Sequence, residues 1–325
     1  MNGRVEKPRL TAAAGQLVRD HPLIPLVALL FMLSGVLELL RPGIINPFWL
    51  GNTVKFATPL AMLAACQVLT MLTAGIDLSA GAVATVSAFV VATVTPLFGV
   101  PAGVGVALGA ALVVGLLNGF GVGVARVHPL IMTLGTGLVA TGCLQVYQRF
   151  VIATGTEIPH FLEWLGTGRS FGIPNGLFLF VPFSILVLAG LRFTGFGRLL
   201  FAFGSNEHAS RLSGARCWQV YLALYALSAL IAGVTGLLYI GMIRAPSLSL
   251  ANPLLLPSVA AAVIGGTSIF GGRGSYAGAV IGALILTVLG TMLTLLQMPE
   301  GARRVLFGLI ILTVTALHAR FTEQN

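Results

Sequence analysis

The sequence predicts an all-α polytopic membrane protein of about ten transmembrane helices with an inverted internal repeat. Three observations carry this. Of the 325 residues, 57% are hydrophobic and only 8% charged, whereas a soluble domain carries about 25% charged residues. Apolar runs of roughly the 20 residues that cross a bilayer follow one another with short breaks. The runs are continuous rather than alternating, which excludes a closed β-barrel. A net charge of +9 would point to nucleic acid in a soluble protein. Here the basic residues gather at junctions on one side, as the positive-inside rule requires, so the expected partner is the lipid bilayer and not nucleic acid.

The spans fall at 23–40, 53–74, 79–98, 102–124, 128–150, 174–192, 217–241, 254–270, 275–297 and 301–319. A basic tail, residues 1–22, precedes the first run. That run is longer than a signal-peptide core and is expected to stay as a helix with the N-terminus in the cytoplasm. Ten crossings return residues 320–325 to the same side. The even-numbered junctions then lie inside and hold Arg126, Arg192, Arg198, Arg211, Arg216 and Arg273. The connection Thr154–Asn175 is the longest expected outside. Its Trp164 and mixed charges suit anchoring at the headgroups, or a short helix meeting an external partner. Cys66, Cys143 and Cys217 lie apart without CxxC spacing and are expected as buried packing residues rather than a disulfide or metal site.

Glycines at 105 and 109, at 115, 119 and 123, and at 278 and 282 have the small-xxx-small spacing that lets membrane helices approach closely; packing within one subunit accounts for most of them. Gly105-Val-Ala-Leu-Gly-Ala-Ala-Leu112 is similar to Gly278-Ala-Val-Ile-Gly-Ala-Leu-Ile285. The two stretches lie an odd number of spans apart, as in the inverted repeats of transporters.

The chemistry-bearing residues are few. There is no GxxxxGK[ST], HExxH or GxSxG, so an enzyme reading finds no support and no metal or cofactor is expected in this chain. Asp77, in Gly75-Ile-Asp-Leu-Ser-Ala-Gly81, sits between two apolar runs. With Ser79 it is expected to cap the third span; an ion-coupling carboxylate is the alternative. Asn118 and Gln145, inside apolar helices, are expected to bond neighbouring helices more than a substrate. Gly265–Ser275 reads as a tight reversal with Arg273 near the inner surface.

The loop Thr194–Gly214 differs from its surroundings. Asn206 is a good N-cap, Glu207 sits where the helix dipole favours an anion, and Gly214 suits the terminating turn. A two-turn helix is marginal alone, so this one is expected to lean on another structure, such as a second subunit.

Four stretches together, Gly75–Gly81, Pro129-Leu-Ile-Met-Thr-Leu-Gly135, Thr194–Gly214 and Gly265–Ser275, resemble the permease subunits of ribose-type ABC sugar importers, in the family's order and spacing over essentially the whole chain. The resemblance implies a transport subunit in the bacterial cytoplasmic (inner) membrane that pairs with a second permease copy or paralogue. It also implies an ABC ATP-binding subunit that holds ATP–Mg, and a periplasmic or extracellular sugar-binding protein. The permease domain would be residues 23–319, with an ATPase-coupling loop at 193–216 that uses Arg198, Asn206, Glu207, His208, Ala209, Arg211 and Gly214. Asp77, Ser79 and Asn118 are candidates for the pathway or a helix junction. The coupling loop departs from the family's Asn-x-Glu-Ala-Ala-Arg-Leu-Ser-Gly: His208 stands at the glutamate position and Ser210 at the second alanine. Alternatives are a permease of the same group for another small polar cargo, and an ion-coupled secondary transporter using Asp77.

Overall fold

The computed structural model describes residues 23–151 and 155–299, together with 301–302, 305–306 and 308–309. The expected tails, Arg303 and Arg304, and most of the tenth span at 301–319 lie outside these residues. Among the described residues the chain is a helical membrane protein, with eight helices long and apolar enough to cross a bilayer.

The first helix, α1 (Leu23–Leu40), lies at the periphery and buries only Leu37. Next comes α2 (Pro47–Met71), opened by Asn46, whose Oδ1 accepts from Trp49 N at 2.9 Å, and by Pro47 in the first turn. From Ala57 to Met71 it is buried on all sides, as expected of a central membrane helix. α3 (Ala80–Phe98) and α4 (Val100–Gly123) form a hairpin joined by Gly99 alone, at φ 82°. α5 (Pro129–Val151) follows, mostly exposed on its outer face.

The Thr154–Asn175 connection holds a short helix, α6 (His160–Thr167), and a two-residue hairpin, β1 (Arg169–Ser170) against β2 (Ile173–Pro174), with Arg169 opposite Pro174. Trp164 stacks on Phe178, centroids 6.3 Å apart, and the Arg169 guanidinium lies 4.5 Å from the Phe48 ring centroid. Close backbone approach at Gly166 and Gly241 seats α6 on the far end of the central helix α10.

The chain continues through α7 (Gly176–Phe193), α8 (Gly195–Ser205), α9 (Glu207–Leu212), α10 (Cys217–Ile243), α11 (Asn252–Ile264) and α12 (Tyr276–Leu295). The core gathers α2, α3, α10, α11 and α12. Gly115 and Gly119 let α4 meet α10 backbone to backbone: a Cβ on Gly115 would fall 2.6 Å from the Tyr225 carbonyl oxygen, and one on Gly119 2.6 Å from Leu222 Cα.

Three expectations are corrected. The eighth span is too short: α11 has 13 residues, about 20 Å at 1.5 Å per residue against a core of about 30 Å. Residues 265–270, counted as its end, form the turn instead, because Gly265 and Gly266 terminate the helix, the latter at φ 87°. Cys143 is exposed, while Cys66 and Cys217 are buried. Gln145 is likewise exposed on α5 rather than turned toward a neighbouring helix. The two similar glycine stretches also pack differently. Nothing lies within 4 Å of a Cβ on Gly105 or Gly109, whereas Gly278 and Gly282 press on the backbone of α11.

Candidate coupling site and buried polar network

Between α2 and α3 the chain leaves helical geometry yet stays inside the protein. Irregular backbone at membrane depth requires partners from the protein itself, and side chains supply them. The Gln67 amide brackets Asp77, donating to its carbonyl at 2.9 Å and accepting its N–H at 3.3 Å. The Thr133 hydroxyl donates to the Ile76 carbonyl at 3.0 Å and accepts from Leu78 N at 3.1 Å. Asp77, 1% exposed, accepts at Oδ1 from Ser79 N (3.0 Å) and Ser79 Oγ (2.6 Å), and at Oδ2 from Ser228 Oγ of α10 (2.7 Å). Asn118 continues the network from α4, donating to Ser79 Oγ at 2.9 Å and accepting from Thr136 Oγ1 at 2.5 Å. The carboxylate thus ties the start of α3 to the middle of α10, and every donor to it is a neutral group.

At the end of α2 this segment meets the other glycine-rich stretches. Gly272 N donates to the Leu72 carbonyl at 3.0 Å. Gly204 of α8 lies so close to both that a Cβ there would overlap the Leu72 oxygen and the Gly272 nitrogen. Only a bare backbone fits such an approach. Gly271 is in αL geometry at φ 89°, and a Cβ on it would lie 2.9 Å from the Gly204 carbonyl. Ala74, beside it, holds φ 58°, a conformation uncommon for a residue with a Cβ.

The 194–214 stretch is more structured than a loop with one short helix. Thr194 Oγ1 accepts from Gly197 N at 3.0 Å and starts the amphipathic α8, which buries Gly197, Leu200 and Phe203. Asn206 Oδ1 accepts from Ala209 N at 2.9 Å and caps α9. Gly214 follows at φ 85°. Glu207 fastens α9 to the bundle: Arg126, between α4 and α5, donates to it at 2.8 Å, Tyr221 of α10 at 3.2 Å, and Arg211 pairs with it within α9. Partial burial pushes the Glu207 carboxyl up, but hydrogen bonds from Arg211, Arg126 and Tyr221 outweigh it and hold the group below the usual carboxylate range. A cleft of about 800 Å³ runs between α8, α9 and the start of α10, lined by Leu199, Asn206, Ala209, Ser213, Arg216 and Gln219 among others.

Residues 50–315 match the family described as the branched-chain amino acid transport system permease component. The chain belongs to this family. The ribose import permease protein RbsC of Escherichia coli (strain K12) is 31% identical over 293 residues, covering 88% of this chain and 90% of the relative. The fructose import permease protein FrcC of Rhizobium meliloti is 29% identical, covering 90% and 84%. The ribose import permease protein RbsC of Bacillus subtilis (strain 168) is 30% identical, covering 89% and 90%. No solved structure matches the chain.

In this multi-pass permease, Asp77 and its near neighbour Ser79 join Asn118, 39 positions from Ser79, in one buried network. Asn206, Glu207, His208, Ala209, Arg211 and Gly214 share α9 and its caps, with His208, Ala209, Arg211 and Gly214 exposed. Arg198 stands apart on the exposed side of α8. The expectation that α9 has no home in its own subunit is corrected: Ser210 is buried, and Glu207 reaches two other elements. The sequence reading also missed Gln67, Thr133 and Ser228. Their signal was a polar side chain within an apolar run, weak because Ser and Thr satisfy themselves on helix carbonyls and often mean nothing more.

Proposed function

We propose that this permease carries a sugar, delivered by an external binding protein, by alternating access driven by a separate ATPase that holds ATP–Mg. In this reading residues 23–319 form the permease domain, both tails and the 193–216 loop lie in the cytoplasm, and a second permease copy or paralogue completes the pathway. Relatives named as ribose and fructose import permeases support the cargo class.

One observation carries the coupling role. α9 has a fastened face and a free face: Glu207 clasps the bundle and Ser210 is buried, while His208 and Leu212, the latter 78% exposed, point away. An exposed leucine beside a histidine suits the apolar centre of a docking surface with a polar rim. The contact of Gly204 with Leu72 and Gly272 gives a push on this face a short route to the interior.

The test is co-purification and reconstituted uptake. Leu212 is largely exposed, so Leu212→Asp is expected to fold, insert and lose the ATPase. Gly214→Pro removes the Gly214 N–H bond to the Arg211 carbonyl and the φ that the turn needs; it is expected to uncouple ATP hydrolysis from uptake. Normal assembly and transport by both variants sinks the coupling role. Uptake driven by an ion gradient with no ATPase present favours the secondary-transporter reading instead.

A further inference from the structure

We infer that Tyr225 is a positioning residue for a moving joint, the Gly75–Ser79 segment, and that its hydroxyl gains a hydrogen-bond partner only when that joint shifts. The inference rests on the coupling role proposed above. Three hydroxyls lie along α10 at successive turns: Tyr221, Tyr225 and Ser228. The first holds Glu207 of the coupling helix and the last holds Asp77 of the segment. The middle one is fully buried and has no partner.

Buried polar groups are paired in the great majority of cases, because an unpaired one keeps its desolvation cost without return. Tyr225 is one of four such side-chain exceptions among the described residues, and the one that stands between the two anchored rungs. Its hydroxyl is aimed at the segment: a Cβ built on Gly75 would fall 2.9 Å from it. The phenol therefore reaches the backbone of Gly75 only because that residue is glycine.

The segment has the features of a joint. Side chains, with the Thr70 carbonyl at Gly75 N, hold it instead of a helix ladder. Its N-terminal flank, Ala74, sits in αL geometry, which stores strain that a rearrangement releases. That flank also touches Gly271, and Leu72 touches Gly204 and Gly272. A displacement of α8 therefore reaches the segment first. A pump with alternating access populates at least two arrangements. In the described one the Tyr225 hydroxyl is unsatisfied; a shifted Gly75–Ile76 backbone brings a peptide group to it and stabilises the other.

The experiment uses the permease assembled with its ATPase and binding protein in proteoliposomes. Tyr225→Phe removes the hydroxyl and keeps the ring. One hydrogen bond lost from the second arrangement slows the cycle about five-fold. Maximal uptake and stimulated ATP hydrolysis should fall together, the half-saturating concentration of loaded binding protein should stay the same, and the unfolding midpoint should be unchanged or raised. A residue that only packs would leave both rates unchanged, because phenylalanine keeps the ring. Hydrogen exchange on the wild-type complex adds a second readout. The amides of Gly75 and Asp77, held here by the Thr70 carbonyl and Gln67 Oε1, should lose protection on trapping with orthovanadate. Unchanged rates in Tyr225→Phe, a fall in both rate and midpoint, or unchanged protection overturns the inference. If the wild-type complex shows no ATP-driven uptake, the coupling role fails, and this inference with it.

Discussion

Removing the Asp77 carboxylate tests whether the network around it acts as a structural cap. Asp77→Ala strips the partner from Ser79 N, Ser79 Oγ and Ser228 Oγ, all in a site closed to water. Each buried donor left unsatisfied costs about 1–3 kcal/mol. Two of the three are hydroxyls that turn toward other acceptors, which places the total at about 3–5 kcal/mol. Asp77→Asn keeps Oδ1 for both Ser79 donors, and its amide nitrogen donates to a Ser228 hydroxyl rotated to accept. Its loss should be about 1 kcal/mol. Equilibrium unfolding of the purified protein in mixed micelles, read beside membrane yield, measures both. An alanine variant within about 1 kcal/mol of wild type would show that the network holds nothing. An asparagine variant as damaged as alanine would show that charge rather than geometry is required, and would revive the ion-coupling alternative.

Gly119→Leu should force α4 away from Leu222 Cα and the Tyr221 carbonyl, at about 1–3 kcal/mol or more for overpacking against backbone. Gly105→Leu, with nothing within 4 Å of its Cβ, should stay within about 0.5 kcal/mol; the same unfolding assay separates them. The Glu207 clasp should depend on acid. Its hydrogen bonds hold the carboxyl below the ordinary carboxylate range, so its stabilisation is complete above that range and is lost as pH falls through the lowered value. Hydrogen-exchange protection of α9 should therefore persist through neutral and mildly acidic pH and fall only below the ordinary carboxylate range. Loss of protection near neutral pH would refute the clasp.

Much of the architecture was legible in the sequence because the bilayer imposes a simple rule: a crossing helix needs a long, uncharged run. Runs such as 79–98 and 217–241 appear as α3 and α10 within two residues at either end. The rule failed at α11, where Pro253, Pro257 and Gly265 punctuate an apolar stretch that hydropathy reads as continuous. It also gave no account of α8, because an 11-residue amphipathic helix is too short to register as a span and is lost among polar neighbours.

Local chemistry was likewise readable where it is local. The Asn206 cap, the Gly214 turn and the weight placed on Asp77 follow from residue type and immediate neighbours, since capping bonds join residues two or three apart. What surrounds those residues was decided only in three dimensions. Ser228 lies 151 positions from Asp77, and Arg126 lies 81 from Glu207; no spacing rule joins them. The sequence by itself determined that this is a helical membrane protein with a capped polar helix and a lone carboxylate among apolar runs. Tertiary packing decided that both are fastened to one helix, α10, and that Gly204, Gly272 and Leu72 meet between them. The physical reason is that backbone-to-backbone contact and buried hydrogen bonding depend on which helices lie side by side, and apolar runs look alike whichever neighbours they have.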